Sequence, residues 1–340
     1  MIIVMELNAS AADIERVKKH LHAQGLTDQV IVGTERTVIA ALGDDRAKSK
    51  DQLEVLPGVE KVMPVLAPYK MASKEVKKER SVIALGGTLG GTVGGTKVAL
   101  MAGPCSVESR SQLLEIAHAV KEAGATALRG GAFKPRTSPY AFQGMGEQGL
   151  EILAEAREQT GLAIVTEVMA VEQVALVAKY ADVLQVGARN MQNFNLLWAV
   201  GEQRKPVLLK RGMASTFEEF LLAAEYVMSR GNSQVILCER GIRTFETYCR
   251  NTLPLAIVPE VHRKSHLPIV VDPSQGTGHA HLVPDMCRAA VAAGADGLII
   301  EVHGDPEHAM TDGAQSITPE TLMQTMRSLK RIALAVDREM

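Results

Sequence analysis

From Lys97 onward the chain alternates short apolar runs with helix-compatible stretches, eight times over roughly 240 residues. The runs are Val98–Ala102, Thr126–Leu128, Ala163–Thr166, Val183–Val186, Val207–Leu209, Gln234–Leu237, Pro268–Val271 and Gly297–Ile300. Strands alternating with helices call for parallel pairing, because a parallel return needs a crossover long enough to hold a helix. Eight such units match a (β/α)₈ TIM barrel of α/β class, and a doubly wound sheet is the other solution. Apolar content of 46% supports a sizeable core, and the lack of an unbroken apolar run near twenty residues excludes a membrane helix.

The segment before the barrel reads as a separate small domain. Ile2–Leu7 is a short strand. Ser10 with Asp13 forms a capping-box pattern, followed by Ile14, Val17 and Leu21 at helical spacing up to Gly25. Two strands at Val30–Val32 and Thr37–Leu42, a helix over Ala47–Leu56 and a strand at Val59–Val65 complete a βαββαβ order, the ferredoxin-like pattern. The expected organisation is a ferredoxin-like domain over 1–70, a linker and Gly-rich hairpin over 71–97, and the barrel over 98–340. The hairpin pairs its glycines (Gly86/Gly87, Gly90/Gly91, Gly94/Gly95) without a G-x-G-x-x-G register or a following GK[ST], so it reads as a flexible connector, not a nucleotide cradle.

A formal net charge of -2 and 4% aromatic residues give no general attraction for nucleic acid or an anionic membrane. Four widely spaced cysteines without a CxxC pair, and an N-terminus lacking a basic leader, fit a cytoplasmic protein.

Barrel enzymes place their chemistry where strands run into the following loops. The expected strand ends carry Cys105, Arg129, Glu167, Arg189, Lys210, Glu239–Arg240, Asp272 and Glu301–His303. The cations Arg129, Lys134, Arg136, Arg189, Lys210 and Arg240 would converge on one mouth and call for strongly anionic substrates. Gly187 and Ala188 could offer backbone N–H groups to a phosphate. Cys105, Glu301, His303 and Asp312 mix soft and hard donors suited to a divalent transition metal. Alone, Cys105 reads more readily as a small buried hydrophobe, and its tightly turned, polar flanks in AGPCSVES turn the reading toward a site role.

AGPCSVES, LRGGAFKPRTSPYAFQGMGEQGLE, QVGARNMQNF, KPVLLKRG, ILCERGIRTFE, VDPS and EVHGDPEHAMTDGAQS closely resemble 3-deoxy-D-arabino-heptulosonate 7-phosphate (DAHP) synthases of the class with an N-terminal ferredoxin-like domain. The resemblance covers nearly the whole chain. It implies condensation of phosphoenolpyruvate with erythrose 4-phosphate on a (β/α)₈ barrel, the first step of the shikimate pathway to aromatic amino acids, with a divalent metal (Mn, Co, Zn or similar). It places phosphoenolpyruvate against Arg129, Lys134, Arg189, Lys210 and Arg240, with Gly187 and Ala188 at its phosphate and Glu167 as a hydrogen-bonding or water-orienting group. Arg136 and Thr137 would take erythrose 4-phosphate, Lys134 would give a proton to the new alkoxide, and Cys105, Glu301 and Asp312 match three metal ligands. Where the family has DPSH, this chain reads Asp272-Pro273-Ser274-Gln275, so Gln275 stands in the place of the fourth ligand.

An amide oxygen is a weaker donor than imidazole, so the metal site is expected to be weakened or altered. Three readings stay open: glutamine or water completes the site, the reaction runs with little metal dependence, or the reaction is lost. His279 or His281 could also substitute as a ligand. A sister synthase acting on arabinose 5-phosphate and a silent phosphoenolpyruvate-binding regulatory paralogue are the alternatives. The resemblance further implies feedback by tyrosine or phenylalanine through the N-terminal domain, and a homotetramer.

Overall fold

A computed structural model describes residues 1–33, 36–43, 50–63, 68–134 and 138–340. Contacts divide the chain into two units, Met1–Glu79 with Lys264–His266, and Arg80–Arg263 with Leu267–Met340.

In the first unit, strands β1 (Ile2–Met5), β2 (Thr27–Val32), β3 (Thr37–Leu42) and β4 (Val59–Met63) form an antiparallel sheet in the order β2-β3-β1-β4, with helices α1 (Ala11–Ala23) and α2 (Lys50–Glu54). This is the ferredoxin-like arrangement expected from the βαββαβ order. The capping box starts α1: the Ser10 hydroxyl accepts from Asp13 N–H at 3.2 Å, and the Asp13 carboxylate accepts from Ser10 N–H at 2.9 Å. Val17 and Leu21 of α1 then bury against Ile3, Met5 and Ile39. The opposite sheet face is not bare, since Ile2 and Ala40 bury with Val76.

His266 belongs to this unit and its Nε2 lies 2.7 Å from the Met71 carbonyl, which can only accept, so this ring nitrogen carries the proton and donates it. Burial pushes its pKa down to about 4. The folded chain therefore resists a proton that the unfolded chain takes up near pH 6.5. Stability from the neutral ring is complete above pH 6.5 and is lost as pH falls toward 4, by up to about 3 kcal/mol. Urea midpoints measured across this range are expected to fall for the natural chain and to fall less for His266→Gln, which keeps an N–H donor but does not titrate.

The second unit opens with a hairpin of β5 (Ile83–Gly86) and β6 (Gly91–Val93). It is no loose connector: Ile83, Leu85 and Val93 bury in one cluster with Ala99, Ala127, Ala163 and Val183, the first residues of four barrel strands. The hairpin thus plugs the end of the barrel opposite the strand ends that carry chemistry. Gly87 has φ +66° there, and a Cβ would sit 2.7 Å from Ala163 N, so both its conformation and its close approach require glycine.

The eight parallel strands are β7 (Ala99–Gly103), β8 (Ala127–Arg129), β9 (Ala163–Val168), β10 (Val183–Val186), β11 (Val207–Lys210), β12 (Val235–Glu239), β13 (Ile269–Val271) and β14 (Gly297–Glu301). They close through β14 and β7, with Gly297 opposite Ala99 and Glu301 opposite Gly103. Strands buried on both faces explain the unbroken Val, Ile and Leu content of the sequence runs. The helices are α3 (Arg110–Glu122), α4 (Glu147–Thr160), α5 (Val174–Tyr180), α6 (Phe194–Gly201), α7 (Phe217–Met228), α8 (Ile257–Lys264), α9 (Pro273–Thr277), α10 (Val283–Ala292) and α11 (Pro319–Ala335). Among the described residues, no helix is long and apolar enough to cross a membrane.

Candidate active site

The loops at the C-terminal ends of the barrel strands enclose a cavity of about 450 Å³. Among the described residues, Arg129, Lys134, Arg189, Lys210, Arg240, Arg243 and Arg250 line it, against two carboxylates, Glu167 and Asp312. Arg129 and Lys210 end their strands, while Lys134 reaches in from the loop after β8. Lys210 is held by Asp272 at 2.6 Å, and the other oxygen of Asp272 accepts from Gln275 N–H at 2.9 Å, starting α9. Arg129 is buried and bonds Glu301 at 3.0 Å, yet its Nε finds no partner among the described residues. A buried guanidinium N–H left open in this way asks for an anion.

Gly187 and Ala188 line the same wall. A Cβ on Gly187 would fall 2.1 Å from Glu167 Oε1, so the glycine is what lets this carboxylate lie against the backbone. Gln185 donates to the other Glu167 oxygen at 3.2 Å. Arg136 and Thr137 of the expected sugar-phosphate loop lie outside the described residues.

Beneath the cations, the ligand atoms of Cys105, Glu301 and Asp312 all lie within 4.8 Å of one another. One thiol and two carboxylates at this spacing can close on a single divalent transition ion, and the donor set therefore fits a metal. Asp312 sits at φ +49°, a left-handed conformation that Asp tolerates better than most residues. Burial pushes the Cys105 thiol up to about 12, and the Glu301 charge adds to this. The neutral thiol donates to Asp312 at 3.2 Å and accepts from Lys134 at 3.0 Å. Burial also works against charge on Lys134, but the Cys105 sulfur and the Glu167 and Glu301 carboxylates outweigh it and hold the ammonium above the usual lysine range. For Asp312 burial is likewise overcome, by the Cys105 thiol and by Arg250 and Lys134, and the carboxyl is held below its ordinary range.

Gln275 borders this cluster with its amide committed at both ends. Its Oε1 accepts from Arg240 at 3.0 Å, and its Nε2 donates to Glu301 at 3.1 Å. His303 turns away from the cluster: Nδ1 accepts from Asp305 N–H at 3.0 Å, and Nε2 lies 3.4 Å from Glu108. The His279 and His281 rings pack against each other at a tilt of 37° with centroids 5.6 Å apart, and neither lines the cavity. Glu239 is also structural, tying Arg211 (2.8 Å) to Gly241 N–H (2.6 Å) across two loops.

Arg250, Arg243 and Gln315 were not among the residues expected at the site. Arg250 bonds both Asp312 (3.3 Å) and Gln315 (2.8 Å), and Gln315 donates to Glu301 at 2.7 Å. Arg243 and Arg250 lie in the long loop after β12, beyond the reach of a rule that inspects only strand ends. Gln315 stands in TDGAQS, three residues after the candidate ligand Asp312, and that proximity was the available signal.

A family model described as the DAHP synthetase I family matches residues 79–337, and one described as the DAHP synthase ferredoxin-like domain matches residues 1–67. Phospho-2-dehydro-3-deoxyheptonate aldolase of Thermotoga maritima is 49% identical over 336 residues, covering 99% of this chain and 98% of that protein. A 2-dehydro-3-deoxyphosphooctonate aldolase of Syntrophotalea carbinolica is 36% identical over 251 residues, covering 69% of this chain and 90% of that protein. The crystal structure of the Thermotoga maritima DAHP synthase superposes with a TM-score of 0.79 at 48% identity, covering 99% of this chain and 98% of that one.

Proposed function

Because the chain belongs to the DAHP synthetase I family, we propose that its cavity joins phosphoenolpyruvate to erythrose 4-phosphate, forming DAHP and releasing phosphate. The observation that carries this is the ring of seven cations against two carboxylates, set over a three-donor cluster in which Cys105 and Glu301 are buried and Asp312 half-buried. Arg129, Lys134, Arg189, Lys210 and Arg240, with the backbone at Gly187 and Ala188, would hold phosphoenolpyruvate, and the open Nε of Arg129 gives one of its oxygens a donor. Arg136 and Thr137 would take the sugar phosphate. Charge neutralisation and alignment by fixed donors are the main contribution such a site makes. Glu167, fixed by Gln185, is suited to orient the water that adds to the phosphoenolpyruvate carbon. Lys134, kept protonated, is the group placed to give its proton to the new alkoxide.

A divalent ion held by Cys105, Glu301 and Asp312, with Gln275 as a weak fourth donor, would supply Lewis-acid polarisation of the aldehyde. Gln275 would weaken or alter the choice of that ion. A cytoplasmic homotetramer, with tyrosine or phenylalanine acting through the ferredoxin-like domain, completes the reading. A second reading, use of arabinose 5-phosphate, draws on the octulosonate relative; the match of the heptonate relative across 99% of the chain favours the four-carbon sugar.

The test is phosphate release from phosphoenolpyruvate after exhaustive chelation and re-addition of Mn²⁺, Co²⁺, Zn²⁺ or Mg²⁺. Release should require both an added ion and erythrose 4-phosphate, and should be slower with arabinose 5-phosphate. Release without any aldose, or none under any condition, would overturn the assignment.

A further inference from the structure

Arg240, Gln275, Glu301, Gln315, Arg250 and Asp312 form one continuous chain of hydrogen bonds, from the anion-facing cations to the candidate metal ligands. Within it the amide of Gln275 has only one consistent orientation. A guanidinium only donates, so the oxygen must face Arg240; a carboxylate only accepts, so the nitrogen must face Glu301. The backbone beneath cannot yield, because Gln275 N–H bonds Asp272 at 2.9 Å and its carbonyl accepts from Asn251 at 2.8 Å. The one atom of Gln275 able to ligate an ion is therefore turned away from the Cys105–Glu301–Asp312 cluster. Rotating the amide would set its NH₂ against the Arg240 guanidinium, donor against donor. That cost disappears when an anion draws on Arg240 and accepts from the turned NH₂.

We propose that Gln275 couples the two halves of this site: an anion such as phosphoenolpyruvate at Arg240 releases the amide oxygen toward the cluster, so that anion and cation each tighten the other's binding. By linkage the tightening is equal in both directions. The inference rests on the activity assigned above and adds to it a mutual dependence of anion and ion binding.

Mn²⁺ binding to the chelated full-length chain, titrated calorimetrically with and without phosphoenolpyruvate and without the aldose, tests it. Phosphoenolpyruvate should tighten Mn²⁺ by about tenfold in the natural chain, the worth of one relieved hydrogen-bond conflict. Gln275→His needs no rotation, so its Mn²⁺ affinity should be higher at the outset and change by no more than about twofold, the residue of direct charge attraction. Gln275→Ala has no fourth donor and should show the same small change; it decides the matter if the histidine variant does not fold. The charge-transfer absorption of Co²⁺ bound to thiolate shows whether the ion sits at Cys105. Equal tightening in all three chains, or none in the natural one, overturns the coupling while leaving the assigned activity intact. Failure of the natural chain to bind phosphoenolpyruvate at all removes both.

Discussion

Lys134→Met is expected to leave a folded chain that forms product about 10³-fold more slowly, chiefly through kcat. Methionine keeps the apolar stem in its buried position but removes the ammonium that holds the Cys105 sulfur and carbonyl, each at 3.0 Å. The donor to the thiol is lost, together with the two roles proposed above for Lys134, the positive charge facing the anions and the proton source for the alkoxide. Lys134→Arg should not restore the rate. A planar fork cannot place one compact charge between sulfur and cavity, and it does not release a proton. Steady-state kinetics on both substrates, beside the melting temperature of each variant, give the answer. A loss of tenfold or less, or a loss confined to KM, would reassign Lys134 to binding alone.

The second large effect lies at the opposite end of the barrel. Asp296, fully buried just before β14, is bonded by Arg80, by His262 at 3.1 Å, by Arg338 at 3.4 Å and by Ile269 N–H at 2.9 Å. Burial alone would raise its pKa, but His262, Arg80 and the Ile269 N–H overcome this and hold it below the usual carboxylate range. Asp296→Ala leaves partly buried guanidinium groups facing one another and is expected to cost about 3–5 kcal/mol. For a chain of this size that is on the order of 10 °C in melting temperature. Product formation at low temperature should survive, because no group of this cluster lines the cavity. Arg80→Ala combined with Asp296→Ala should cost less than the sum of the two. For the natural chain the carboxylate's contribution is present above about pH 4 and is lost as pH falls through the lowered folded value. A melting temperature unchanged by Asp296→Ala would show the cluster to be ornamental.

Much of the site was legible from residue order alone. Arg129, Glu167, Arg189, Lys210 and Arg240 line one cavity because each lies at or just beyond the C-terminal end of a barrel strand, and strand ends converge by topology. Glu239, Asp272 and His303 obey the same positional rule, yet they turn to Arg211, Lys210 and Glu108 and brace the loops instead. Position along a strand decides which end of the barrel a residue reaches. Its rotamer and partners decide whether it faces ligand or scaffold. The Gly-rich hairpin shows the same divide: its glycines announce tight turns, but Ile83, Leu85 and Val93 gain their role only from the open barrel end they fill.

The ferredoxin-like and barrel patterns, the cationic strand ends and the substitution at Gln275 were determined by the sequence alone, because periodicity and local residue chemistry are written along the chain. The tertiary structure alone decided that Arg250 and Gln315 join Glu301 and Asp312, and that the Gln275 amide is held between Arg240 and Glu301. Gln275 and Glu301 lie 26 positions apart, and Arg250 and Asp312 lie 62 apart. A hydrogen bond needs its partners within about 3 Å and correctly oriented. Only closure of the barrel brings such distant groups to that distance.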